Sequence, residues 1–241
     1  MHHLANYTQN IHYLIRFVRQ LVCLTFMAIP LLACRGAEPR PLTITVLGDS
    51  LTAGYGLDGD SAFPAQLQTA LREAGWPVTV INAGVSGDTT AAGRARLDWV
   101  LQEAPDVLII QLGANDMLRG LPPERARNNL DDIITRGKSR ATQVILAGMQ
   151  APLNLGLAYR REFNRIYPDL AEKHDIPLYP FFLEGVARKS ELNLDDGIHP
   201  NAQGIQEIVR RFTPFLLRHL NADSVSPPTP TASRMISPGR M

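Results

Sequence analysis

Five short apolar runs, at 42–47, 78–82, 107–112, 143–147 and 177–179, alternate with longer stretches of helical spacing. This alternation constrains the fold more than any other feature of the chain. Strands separated by helices cannot pair as hairpins, so they enter a mainly parallel sheet whose faces the helices must cover. The helical patterns fall at about 61–74, 88–103, 123–138, 157–174 and 201–219. The expected architecture is therefore α/β: a three-layer sandwich of a five-stranded, mainly parallel sheet with helices on both faces. Asp60 or Ser61 is expected to cap the first helix, Asp88 the second, and Pro122-Pro123 to open the third. The last helix carries Ile205, Ile208, Val209, Phe212 and Leu216 at helical spacing, and Pro214 is expected to kink it or end it early.

Both ends of the chain differ from this pattern. Residues 1–20 contain Arg16 and Arg19 and no acidic residue, and the run 21–33 is apolar. A run of that length suits a secretory signal and is too short to span a bilayer as a helix. Residues 1–33 are therefore expected to be a signal peptide, with an exported, periplasmic product. Losing them would turn the formal charge from +1 to −1. Leu31-Leu32-Ala33-Cys34 also resembles a lipoprotein box, which would make Cys34 the first mature residue and a membrane tether. An ordinary secretory signal cut nearby fits equally well. Cys23 and Cys34 are the only cysteines, so a mature domain at 41–220 has no internal disulfide and no cysteine nucleophile. Residues 221–241, rich in Pro, Ser and Thr, read as a disordered tail. The balanced charge gives no basic surface of the kind that nucleic acid needs.

An open α/β sheet gathers its ligands above the carboxyl ends of its strands. The first run ends at Gly48-Asp49-Ser50-Leu51, and the stretch Thr52-Ala53-Gly54-Tyr55-Gly56 reads as a turn. The second ends at Asn82-Ala83-Gly84-Val85-Ser86-Gly87-Asp88-Thr89-Thr90, and the third at Gly113-Ala114-Asn115-Asp116. Asp196-Gly197-Ile198-His199-Pro200 lies far downstream. Ser50, His199 and Asp196 supply a nucleophile, a base and a carboxylate to orient the base. Small residues beside backbone N–H groups, together with an Asn amide, suit a developing oxyanion. Thr52 stands where an α/β-hydrolase elbow has Gly, so that motif is absent. The remaining histidines, His2, His3, His12, His174 and His219, form no metal-ligand spacing, so neither metal nor cofactor is expected.

Taken singly, each of these residues has a plainer reading as a cap, a turn or a solvated side chain. Four blocks in one order are more specific. The chain resembles the SGNH hydrolases, a branch of the GDSL esterase/lipase group, over about residues 42–218. The resemblance implies a flavodoxin-like SGNH fold, with Ser50, Asp196 and His199 catalytic and Ser50, Gly87 and Asn115 forming the oxyanion site. Gly84 is a second choice for the oxyanion glycine, and Asp195 competes with Asp196. Tyr179-Pro180-Phe181-Phe182 and the doubled Asp195-Asp196 look like the bacterial periplasmic thioesterase/lysophospholipase/arylesterase branch. Ala114 departs from the family, where Gly is frequent before the Asn. The implied activity is hydrolysis of acyl esters, thioesters or lysophospholipids, and with no obvious interaction segment in the sequence a monomer is expected. A carbohydrate O-acetylesterase and a non-catalytic lipid-binding lipoprotein are the alternatives. Segments 153–157 and 181–186 are candidate walls for an acyl groove.

Overall fold

The structure, a computed structural model, describes residues 40–141 and 143–220. The signal, lipoprotein and tail expectations lie outside these residues. The described elements are β1 (Leu42–Gly48), α1 (Ser50–Ala53), α2 (Phe63–Glu73), β2 (Val78–Gly84), α3 (Thr90–Ala95), α4 (Leu97–Val100) and β3 (Val107–Gln111). They continue with α5 (Ala114–Leu118), α6 (Pro123–Lys138), β4 (Gln143–Ala147), α7 (Leu157–His174), β5 (Leu178–Tyr179) and α8 (Ala202–His219).

All five strands pair in parallel, in the order β2-β1-β3-β4-β5. The chain leaves β1 for one side of the sheet and returns through β3 on the other, which opens a crevice at their carboxyl ends. Register brings Gly48 opposite both Gly84 and Gln111, so the first three strands end at one level. The segments that follow them therefore begin beside one another.

Burial explains why these runs are strands. Ile44, Val46 and Leu47 of β1 and all of β3 are buried, as a sheet covered on both faces requires. On one side α2 packs on α8, where Phe63 meets Phe212 and Phe182 edge-on at centroid distances of 5.4 and 4.9 Å. Elsewhere α6 contacts both α3 and α7.

Several local expectations need correction. The cap of α2 is Ala62 with Pro64 in its first turn, and neither Asp60 nor Ser61 caps it. Thr89, not Asp88, caps α3, because the Asp88 carboxylate is engaged by Arg96. The helix expected over 88–103 is broken at Arg96 and ends in a 3₁₀ turn. The stretch read as a turn after Ser50 is helical to Ala53, and Gly54 then turns the chain at φ 84°. Finally, α8 runs unbroken through Pro214, held by buried Phe212, Phe215 and Leu216 on either side.

Candidate active site

Three strand ends and one turn build the site. Ser50 is the first residue of α1, where a backbone N–H has no partner within the helix. Asp49 caps that helix by accepting from the Leu51 N–H at 3.0 Å. A side chain on Gly84 would strike the Ala53 backbone at 2.4 Å, so glycine is what lets α1 lie against the end of β2.

The segment that carries Asp196 and His199 is a closed turn. Asn193 bridges Pro200, the Leu194 N–H donates to the His199 carbonyl at 2.8 Å, and the Asn201 N–H to the Leu192 carbonyl at 3.0 Å. Within it Asp196 Oδ1 accepts from the backbone N–H groups of Ile198 and His199, at 2.8 and 2.9 Å. Asp196 Oδ2 lies 2.6 Å from His199 Nδ1, and His199 Nε2 lies 2.9 Å from Ser50 Oγ. These side chains form one hydrogen-bonded chain between residues 149 positions apart.

The charges agree with this geometry. The His199 backbone N–H, then its imidazole, hold the Asp196 carboxyl down at about 2. An ionised carboxylate only accepts, so Nδ1 carries the imidazole proton and Nε2 is left to accept from the Ser50 hydroxyl. Tyr55 lies against the imidazole with ring centroids 4.5 Å apart and the planes tilted by 35°. Asp195 makes no hydrogen bond or ion pair to His199; Asp196 alone does.

Gly87 sits at φ 86° in the loop after β2, and its carbonyl accepts from Arg119 Nη2 at 2.8 Å. Neither the Gly87 nor the Ser50 N–H makes a backbone hydrogen bond among the described residues. Gly84 is the last residue of β2 and accommodates α1. Asn115 Nδ2 donates one hydrogen to the Asp88 carbonyl at 3.0 Å, which ties the third strand end to the second. Below it Asp116 is buried and accepts from Thr90 through both its N–H and its hydroxyl, at 2.7 and 2.6 Å.

Sequence reasoning missed four parts of this framework: Arg96, Arg119, the Asp116–Thr90 pair and Tyr55. Only Tyr55 carried a signal, as an aromatic in a glycine-rich stretch beside Ser50. The proposed groove walls divide. Leu153 and Leu157 are exposed, whereas Phe182 and Val186 are core residues. His174 and His219 stand at the far ends of α7 and α8, away from Ser50.

A parallel sheet of this order, with a serine, an imidazole and a carboxylate in line above its carboxyl edge, is the α/β arrangement of the SGNH hydrolases. Residues 46–206 match the GDSL-like Lipase/Acylhydrolase family. The chain is 44% identical to an arylesterase of Vibrio mimicus over 178 residues, 73% of this chain and 89% of that protein. It is 40% identical to the thioesterase 1/protease 1/lysophospholipase L1 of Escherichia coli K12, covering 74% of this chain and 84% of that one. Among solved structures, the SGNH-hydrolase family esterase AlinE4 superposes with a TM-score of 0.64 at 48% identity, over 77% of this chain and all of that one. The chain belongs to the GDSL-like lipase/acylhydrolase family.

Proposed function

We propose that this hydrolase of ester bonds works as a serine esterase through Ser50, His199 and Asp196, on acyl esters and thioesters including lysophospholipids. The observation that carries the reading is the continuous hydrogen-bonded chain from Ser50 Oγ through His199 to Asp196. Ser50 Oγ attacks the acyl carbonyl as His199 Nε2 takes its proton. Asp196 keeps the imidazole in that tautomer and steadies the imidazolium. The Ser50 and Gly87 N–H groups and the free hydrogen on Asn115 Nδ2 receive the negative oxygen. His199 then protonates the leaving alcohol or thiol. Water, deprotonated by the same imidazole, releases the acid from Ser50.

The relatives' names support esters and thioesters as substrates. Exposed apolar side chains support an acyl chain longer than acetyl. Tyr55, Val85, Leu118, Leu153 and Leu157 lie on segments that follow β1 to β4, and Ile198 adjoins His199. Export through residues 1–33, with Cys34 as a lipid anchor, is a separate proposal supported by the leader's composition. Loss of detergent-phase partitioning in Cys34→Ala tests it, and unchanged partitioning rejects it.

Hydrolysis of p-nitrophenyl esters from acetyl to palmitoyl, by wild type and Ser50→Ala, tests the main reading. A maximum at medium or long chains, lost in Ser50→Ala with the fold intact, is expected. A sharp acetyl preference would move the substrate to acetylated carbohydrate. Activity retained in Ser50→Ala would falsify the mechanism.

A further inference from the structure

The expected 88–103 helix breaks at a residue that performs a task. Arg96 adopts φ −100° and ψ 4° between α3 and α4, and its side chain is only 20% exposed. Its Nε donates to Asp88 Oδ2 at 2.7 Å, and its Nη2 donates to the Gly48 carbonyl at 3.0 Å. These acceptors belong to different parts of the site. Gly48 ends β1, two residues before Ser50. Asp88 follows Gly87, and its backbone carbonyl holds the Asn115 amide.

One guanidinium thus spans the nucleophile strand and the loop that carries the oxyanion donors. The Gly48 carbonyl also accepts from the Val85 N–H at 3.0 Å, so it is held by that loop and by Arg96 together. The third guanidinium nitrogen, Nη1, is buried and has no partner among the described residues. The ion pair explains the geometry only in part: Asp88 alone would need one donor. Serving a carboxylate and a peptide carbonyl from fixed directions needs a rigid, planar fork, which an ammonium on a flexible stem does not provide.

We propose that Arg96 is a positioning residue for acyl transfer. Its guanidinium sets the spacing between the end of β1 and the 85–88 loop. It thereby fixes where the Gly87 N–H and the Asn115 amide stand relative to Ser50 Oγ. This rests on the serine-esterase reading above. Arg96 touches no reacting atom; it acts through Gly48, Asp88 and Asn115. Oxyanion donors contribute in proportion to how well they are aimed before the reaction, so a displaced loop lowers turnover and leaves ground-state binding largely as it was.

The test compares Arg96→Lys and Arg96→Met in the full-length protein, measuring kcat and KM on a p-nitrophenyl ester. The second-order rate of inactivation by a fluorophosphonate, whose phosphoryl oxygen occupies the same donors, is measured alongside. For Arg96→Met the expected loss in kcat is about 10²-fold, the scale of one oxyanion donor, with KM within about twofold. Arg96→Lys keeps the charge but not the fork, and is expected to lose about 10-fold or more. Inactivation by the fluorophosphonate falls by the same factors. In Arg96→Ala, added methylguanidinium restores part of kcat, which a merely stabilising role would not give.

If Arg96→Met fails to fold, the lysine variant decides. A soluble Arg96→Lys with wild-type kcat, or a loss confined to KM, overturns the proposal. Hydrolysis that survives in Ser50→Ala defeats the esterase reading itself. Hydrolysis that is lost in Ser50→Ala yet untouched by Arg96→Lys defeats only the role of Arg96.

Discussion

Asp49 shows how a residue next to Ser50 can carry a cost that Ser50 does not reveal. It is fully buried, its Oδ1 caps α1, and its Oδ2 has no partner among the described residues. Burial pushes its carboxyl up to about 7. The folded state therefore holds a proton that the unfolded chain has released, and stability falls as pH rises from about 4 towards 7. Asp49→Asn keeps an oxygen to cap α1 and removes the titration. The variant is expected to be more stable than wild type near pH 8, and this advantage should shrink as pH falls towards about 5. Thermal melts across that range check it; a gap that does not vary with pH contradicts it. Asp196 behaves oppositely. Its carboxyl is depressed to about 2, so its support for the His199 turn is complete above about pH 4 and is lost as pH falls from there through about 2. Ser50, Asp196 and His199 were legible in the sequence because their motifs are short and local. Arg96 was not, because an arginine in a helical pattern is ordinarily solvated, and only tertiary contacts turn it inward.

The elements divide along the same line. β3 and Val144–Leu146 of β4 were legible because parallel strands buried on both faces read as unbroken runs of Val, Ile and Leu. Helix starts were less so. Asp88 and Thr89 are both capping residues, and the choice between them is made by Arg96, eight residues on, which takes the Asp88 carboxylate. Pro214 was expected to disturb α8, yet buried aromatic contacts on both sides outweigh the hydrogen bond it forfeits. The start of α5 yields a prediction at this scale. Gly113 caps it at φ 114°, and a methyl group there would meet the Tyr167 hydroxyl at 2.2 Å. That hydroxyl donates to the Leu112 carbonyl at 2.9 Å. Gly113→Ala should cost about 1–3 kcal/mol in strain. It should also lower kcat, because α5 carries Asn115. Denaturant titration and steady-state kinetics check both; wild-type values for each would remove Gly113 from the account.

At the scale of the molecule, the site and the first and last described residues lie at opposite edges of the sheet. Arg40 precedes β1 and pairs with Asp106 just before β3, while the His219 carbonyl at the end of α8 accepts from Gln143 at the start of β4. Strands run from that edge towards Ser50. A fragment of residues 40–220 is therefore expected to hydrolyse soluble esters with the kcat/KM of the full chain. A large loss would assign the terminal segments a part in catalysis. In the proposed mechanism Ser50 is the nucleophile that forms the acyl-enzyme. Stoichiometric reaction with a fluorophosphonate, followed by peptide mass analysis, tests it most directly. One adduct per chain, on Ser50, with parallel loss of ester hydrolysis and greatly slowed labelling in His199→Ala, is the predicted result. An adduct on another residue, or full activity after Ser50 is labelled, would contradict it.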